Sequence, residues 1–137
     1  MKIRRDAVTL CAVIAITTST GRIYAQHVNA PDNPCRTDAT PDVVDCIATA
    51  LKKSDSDLNY LYQRIQTVVS GEELVKLKAS QRLWVKFRDV NCDAEHELYD
   101  GGTAAPAVKL ACLEAMTRHR TEELKVMYGW RLEKWGK

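Results

Sequence analysis

The fold of this 137-residue chain is constrained most by four cysteines: Cys35, Cys46, Cys92 and Cys112. An even number of cysteines in a small exported domain predicts two disulfides, and four cysteines allow three pairings. The rival interpretation is a metal site. The four are separated by 10, 45 and 19 residues with no C-x-x-C, which disfavours a structural zinc site, so no metal is expected.

The first 25 residues predict that the chain is exported. Lys2, Arg4 and Arg5 form a basic start, residues 7–16 are almost entirely apolar, and Ala25 is a small residue at the predicted cleavage site. This order is typical of a secretory signal. The apolar run is about half of the ~20 residues that a spanning helix needs, which disfavours the alternatives of a membrane anchor or a buried helix. A periplasmic or secreted protein without a stable membrane anchor is expected.

Removal of the predicted signal changes the charge of the chain. It takes away four of the 20 basic and one of the 18 acidic side chains, so the net charge falls from +2 to about −1. It also removes Cys11, the odd fifth cysteine. No stripe rich in lysine and arginine remains, so nucleic-acid binding is not expected. The remaining 112 residues are enough for one domain with a modest core.

Helical periodicity predicts an all-α domain over residues 42–128. Residues 26–41 contain three prolines and are expected to form a non-helical leader. Thr40 followed by Pro41 predicts the start of the first helix. A polar break is expected at residues 54–57, so shorter N-terminal helices should precede the longer ones.

Two long helical patterns follow and predict an antiparallel hairpin. The first begins at Ser70, which matches a capping box with Glu73, and is expected to reach about Leu98. The second is expected to run from about Ala104 to Tyr128, followed by an aromatic and basic tail over residues 129–137.

The position of the hairpin turn suggests the disulfide pairing. Residue 102 lies midway between positions 92 and 112. A hairpin that turns at Gly101-Gly102 therefore brings these two cysteines together, as the short Cα separation of a disulfide requires. Cys92–Cys112 is the preferred bridge, which leaves Cys35–Cys46 to hold the N-terminal segment.

Polar side chains interrupt the predicted seam between the two long helices. We call this set the polar seam: Asn59, Gln81, Arg88, Thr117 and Arg120. A buried guanidinium needs a partner. The expected partners are Asp57, Asp89 and Asn59, and the ring of Trp84 should face Arg120. These side chains either form a hydrogen-bonded network that sets helix register or line a groove for a ligand.

Two other places are candidate partner-binding surfaces. One is the acidic approach to the hairpin turn, which would project into a partner's cleft; its alternative is an ordinary solvated helix end. The other is the tryptophan-containing tail, where Trp130 either anchors a partner or folds back over Leu74. The candidate residues are Glu95, Glu97, Asp100, Gly101, Gly102, Trp130 and Trp135.

No pattern of catalytic residues stands out in the sequence. His27, His96 and His119 lie outside any nucleophile, metal or phosphate-binding motif, and no glycine-rich phosphate loop or serine nucleophile context is present. We therefore expect a protein that is not an enzyme and needs no cofactor.

Four motifs together carry a family resemblance: Leu58-Asn59-x-x-Tyr62, Gln81-x-x-Trp84-x-x-x-Arg88-Asp89-x-x-Cys92, Gly101-Gly102-Thr103 and Cys112-x-x-x-x-Thr117-x-x-Arg120-x-x-x-Leu124. From about Cys35 to Met127 the chain resembles the lysozyme-inhibitor LprI-like family of small exported bacterial helical domains. Thr103 departs from the expected serine, a change that a cap tolerates.

The resemblance implies a protein partner, lysozyme or another cell-wall-acting protein, inhibited by occlusion of its cleft. The shared residues are caps, cysteines and seam positions, which explain folding more directly than binding. The alternative function is a structural or accessory envelope protein that binds another exported component without inhibiting lysozyme. A small-ligand carrier that uses the polar seam as its pocket is a third possibility.

Overall fold

The computed structural model describes residues 27–35 and 40–136; the predicted signal, residues 1–25, lies outside them. A short 3-10 helix, His27–Asn29, precedes three long helices: α1 (Thr40–Gln66), α2 (Gly71–Glu97) and α3 (Ala105–Trp135). The described residues form no strand. The prediction of an all-α, disulfide-stapled domain is confirmed. Within the described ranges, no helix is both long and apolar enough to cross a membrane.

The predicted division of the first helical pattern is wrong, because α1 is continuous through residues 54–57. Ser54 is buried and donates a hydrogen bond to Glu114 of α3. Lys53 and Asp57 form an ion pair one helical turn apart, as side chains four residues apart can do. The polar stretch therefore has partners within the helical conformation, and one 27-residue helix replaces the shorter helices that were expected.

The start of α2 also differs in detail from its prediction. Ser70 is at the N-cap position, but its side chain makes no capping hydrogen bond. Glu73 instead pairs with Arg131 of α3 at 2.9 Å. The capping box is therefore absent, because a tertiary ion pair takes the glutamate that it would need. Gly71 adopts a φ of 56°, a left-handed conformation that glycine accommodates readily.

Helix α3 packs along both other helices and more extensively along α1. Its side toward the other elements is rich in alanine and other small side chains, which allow close approach of the backbones. One apolar cluster joins all three helices and consists of Leu58, Ile65, Val69, Leu77 and Leu124. A second cluster joins α3 to the first turns of α1 and to the leader, through Cys35, Ile47 and Ala111.

Both disulfides are present with the preferred pairing. Cys92–Cys112 joins α2 to α3 across the hairpin with a Cα–Cα distance of 5.5 Å. Cys35–Cys46 joins the leader to α1 with a Cα–Cα distance of 5.8 Å. The antiparallel arrangement of α2 and α3 is therefore confirmed. The last helix, however, does not end near residue 128 but continues through the predicted tail to Trp135.

The leader is attached by more than its disulfide. The backbone N–H of His27 donates to Glu95 at 3.0 Å, and the ring Nδ1 lies 2.6 Å from the same carboxylate. Asn33 donates to the carbonyl of Val28 and accepts from the backbone of Cys35. The described leader is thus folded against α2 and α3, and one of the acidic side chains expected in the hairpin turn is used to hold it.

Candidate functional site

The polar seam brings two guanidinium groups to one tryptophan. Arg88 of α2 is only 17% exposed; it donates to Thr117 Oγ1 at 3.0 Å, and its Cζ lies 5.3 Å from the centre of the Trp84 ring. It also pairs with Asp89 at 2.9 Å and with Asp55 at 3.4 Å. One buried positive charge thus connects all three helices.

Arg120 completes the seam from α3. Its Nε donates to Gln81 Oε1 at 3.1 Å, it pairs with Glu123 at 2.9 Å, and its Cζ lies 5.8 Å from the centre of the Trp84 ring. Arg120 and Trp84 are equally far from residue 102, so a hairpin that turns there predicts this contact. Among the described residues, no buried side-chain nitrogen or oxygen lacks a hydrogen-bond partner. The contacts of the seam are therefore those of a satisfied network.

One expected member of the polar seam, Asn59, and one expected partner, Asp57, do not reach it. Asn59 is exposed on α1, and Asp57 is turned toward Lys53. The acidic partner from α1 is instead Asp55, two positions earlier. Residues two apart lie on different sides of a helix, so Asp55 and Asp57 do not both face Arg88 in the continuous α1.

A cleft between α1 and α3 contains a buried acidic residue that the sequence analysis missed. The cleft has a volume of about 650 Å³. Glu114 is 3% exposed and accepts hydrogen bonds from Ser54 at 2.9 Å and from Arg118 Nε at 3.1 Å. Arg118 continues to Asp32 of the leader at 3.1 Å. The sequence signal for this residue was a glutamate and an arginine four residues apart in an alanine-rich part of α3, a spacing at which the two side chains can pair.

Two neighbouring members of this chain of polar contacts, Arg118 and Asp32, have shifted pKa values. Burial lowers the pKa of Arg118, but the hydrogen bonds and negative charges of Glu114 and Asp32 outweigh it, so the pKa is raised. Partial burial raises the pKa of Asp32, but hydrogen bonds with Arg118 and His119 and the charge of Arg118 lower it below 3.8. Both side chains are therefore held in their charged forms.

The α2–α3 turn keeps part of its predicted acidic surface. Glu97, Asp100, Gly101 and Gly102 are exposed, and Gly101 has a φ of 76°, a conformation that costs other residues roughly 1–2 kcal/mol. Glu95, with 11% side-chain exposure, does not belong to this surface, because it is bound to His27. The exposed carboxylates at this end are thus at Glu97 and Asp100.

The opposite end of the molecule is aromatic and basic. Trp130 and Trp135 are 54% and 49% exposed, and their ring centres lie 5.5 Å apart in an edge-to-face arrangement. Arg131 lies near both rings. One alternative was that Trp130 folds back over Leu74. Leu74 packs instead against the three-helix cluster. The two tryptophans form an exposed pair.

Among residues 27–35 and 40–136, one group of side chains has atoms of the kind that bind metals. Atoms of His27, Glu95 and Cys112 lie within 4.8 Å of one another. Cys112, however, is bonded to Cys92 and therefore offers no thiolate, the form in which cysteine binds metals. His27 and Glu95 are bound to each other. This group therefore attaches the leader to α2.

Comparison with known proteins identifies the family of the chain. The family model described as lysozyme inhibitor LprI matches residues 32–124, from Asp32 of the cleft to Leu124 of the core. The chain is 28% identical over 113 residues to an uncharacterized protein of Rhizobium meliloti (strain 1021), covering 72% of this chain and 81% of that protein. No solved structure matches the chain. Because the family model spans more than half of the sequence, this chain belongs to the LprI family of lysozyme inhibitors.

Proposed function

We propose that this protein is an exported, non-enzymatic inhibitor of lysozyme that inserts its α2–α3 turn into the cleft of the enzyme. The observation that carries the proposal is the exposed acidic turn at the disulfide-bonded end of the hairpin. Family membership supports the partner class. Exposure of Glu97 and Asp100 supports the surface, because lysozymes are typically basic and complementary charge favours association and orientation.

The structure around the turn favours insertion into a cleft. Cys92–Cys112 links the two helices within about two helical turns of the ends that meet the α2–α3 turn. The His27–Glu95 contact holds the leader beside them. Such restraint lowers the ordering cost that a flexible loop would meet on binding. Leu98, which is 75% exposed, adds an apolar side chain next to the carboxylates.

The direct test is inhibition. The exported protein is purified with its disulfides intact and titrated against a panel of lysozymes in a cell-wall clearing assay. The expected result is a concentration-dependent loss of clearing with at least one lysozyme, without any chemical change in enzyme or substrate. Absence of inhibition at a large molar excess across the whole panel would contradict the proposal.

Charge reversal tests the surface. The double variant Glu97→Lys with Asp100→Lys should weaken inhibition roughly tenfold or more, because attraction becomes repulsion at the contact. Its thermal midpoint should stay within about 2 °C of the parent, since both side chains are exposed. The matched control is Glu72→Lys with Glu133→Lys, which makes the same charge change on exposed residues at the other end. Equal effects of the two pairs would assign the loss to net charge and not to the turn.

The tryptophan pair favours a second candidate, an accessory envelope protein that binds another exported component. Exposed tryptophans are frequent anchors in protein interfaces. The variant Trp130→Ala with Trp135→Ala tests which of the two surfaces contacts lysozyme. It should leave lysozyme inhibition unchanged if the acidic turn is the contact surface. Loss of inhibition in a folded variant would instead place the contact at the C-terminal end of α3.

A further inference from the structure

The outer side of α2 carries a row of exposed apolar side chains, of which the functions above use only the last, Leu98. Leu83, Phe87 and Val90 are 68%, 61% and 70% exposed, and Phe87 is the only phenylalanine of the chain. Steps of three and four place them on one side of the helix. With their neighbours they form what we call the α2 stripe: Ala79, Leu83, Phe87, Val90, Ala94 and Leu98.

The α2 stripe lies opposite the side of α2 that faces the core. Leu77 and Cys92, which are buried, are about a third to half a turn away from it around the helix axis. Single exposed apolar residues are ordinary on protein surfaces, but a contiguous row marks an interaction surface. The stripe also has the period of a coiled-coil seam around Phe87 and Val90.

The order of residues in the stripe fits a second copy of itself. A two-fold axis that passes between positions 88 and 89 places Phe87 of one copy opposite Val90 of the other. The same axis places Leu83 opposite Ala94, and Leu98 opposite Ala79. Each larger side chain thus meets a smaller one, which is the self-complementarity that an isologous interface requires.

The charges beside the stripe favour the same antiparallel arrangement. The flank is basic in the N-terminal half of α2, with Lys78, Arg82 and Lys86, and acidic in the C-terminal half, with Asp89 and Asp93. The two-fold axis places Lys86 of one copy near Asp93 of the other. In a parallel two-fold pair this flank of one copy would face the other flank of its partner, so these opposite charges would not meet. Asp93 pairs with Lys109 of its own chain but remains 55% exposed, so a second cation can approach it.

We propose that the α2 stripe is the interface of an antiparallel homodimer. In this dimer the two α2–α3 turns point in opposite directions. Asp100 lies about eleven residues from the two-fold axis, so the two turn tips are roughly 35 Å apart at 1.5 Å per helical residue. The dimer would therefore present two separate acidic ends. The inference does not depend on lysozyme being the partner.

The mass in solution tests the dimer directly. Sedimentation equilibrium of the exported protein, from about 1 µM to about 1 mM, covers the range in which a dimer of modest size would form. The expected result is a concentration-dependent rise from the mass of one chain to twice that mass. A single-chain mass over the whole range would overturn the proposal.

Substitution of the central aromatic residue tests the location. Phe87→Asp should keep the mass of one chain at concentrations where the parent is dimeric, because the carboxylate would be buried against Val90. The control is Val126→Asp, which changes an 85% exposed side chain of α3 and should leave the dimer intact. Circular dichroism at a concentration where both proteins are single chains should show the same helix content. A dimer that survives Phe87→Asp would place the interface elsewhere and overturn the proposal.

Charge exchange tests the direction of pairing. Lys86→Asp should weaken the dimer roughly tenfold, since it places two carboxylates side by side. Addition of Asp93→Lys in the same chain recreates the opposite-charge pair in the antiparallel arrangement and should restore most of the affinity. Failure of the second change to restore it would contradict the antiparallel register.

Discussion

At the scale of single residues, Glu114 shows how this domain stabilises a buried charged side chain. An unpaired buried carboxylate costs several kcal/mol. Here the carboxylate accepts from Ser54 and Arg118, and Arg118 is held in turn by Asp32. Each charge is thus compensated by the next. The chain of contacts connects α1, α3 and the leader, and it makes the leader part of the folded domain.

The lowered pKa of Asp32 predicts an acid-sensitive contribution to stability. Because the folded pKa lies below 3.8, the contribution is fully present above the unfolded value and is lost as the pH falls through the folded pKa. Asp32→Asn should therefore destabilise the protein at pH 7, by less than about 1 kcal/mol since the pair is partly exposed. The difference in free energy of unfolding from the parent should shrink below about pH 4.

Urea unfolding of the two proteins between neutral and acidic pH measures this difference. The control is the same substitution in an Arg118→Gln background, where the partner is missing and Asp32→Asn should have a smaller effect. A difference that grows as the pH falls would contradict the assignment.

At the scale of elements, α3 organises the domain because it contacts α1, α2 and the leader. Its covalent link to α2 closes a loop with a sequence separation of 20 residues, whereas the link from the leader to α1 closes one of 11. The loop-entropy model gives roughly 3 kcal/mol for each and a difference of only about 0.5 kcal/mol. The two bridges differ more in what they position: one fixes the hairpin turn, the other the leader.

Removal of each disulfide in turn tests what the two bridges position. Cys92→Ala with Cys112→Ala should lower the free energy of unfolding by about 3 kcal/mol and should increase hydrogen exchange in residues 98–104. Cys35→Ala with Cys46→Ala should lower it by a similar or slightly smaller amount while leaving exchange in the turn unchanged. Urea unfolding and exchange measured by mass spectrometry provide the two readings. Increased exchange in the turn after loss of the leader disulfide would mean that the leader, and not Cys92–Cys112, restrains it.

For the whole molecule, the main feature is the difference between the two ends of the hairpin. The end at the α2–α3 turn exposes Glu97 and Asp100, while the opposite end carries Arg131 and Lys134 beside the tryptophans, together with the exposed Glu72 and Glu133. The net charge after loss of the predicted signal is close to zero. Attraction to a basic partner therefore depends on orientation rather than on total charge.

Salt should consequently weaken the proposed inhibition. Raising the ionic strength from about 0.01 M to about 0.5 M shortens the screening length from roughly 30 Å to less than 8 Å, so the inhibitory concentration should increase severalfold. The variant Glu97→Lys with Asp100→Lys should lose this dependence or reverse it. Inhibition of the parent that does not change with salt would contradict an electrostatic role of the turn.

Much of the fold followed from local patterns in the chain. Apolar spacing identified the helical segments, and the equal distances of Cys92 and Cys112 from the turn gave the pairing that the structure has. The same reflection placed Arg120 beside Trp84. These inferences succeeded because helix periodicity and hairpin register are geometric consequences of residue order.

Other features required the contacts between distant segments. The sequence predicts Glu95 on an exposed surface, but the side chain binds His27, 68 residues away. It also predicts a break in the polar stretch of α1, but Ser54 binds Glu114, 60 residues later. Hydropathy alone cannot distinguish a solvated polar side chain from a buried one that has a partner. The positions of the four cysteines in the sequence therefore established the covalent framework, while burial of the charged groups depended on how α3 packs against α1 and the leader.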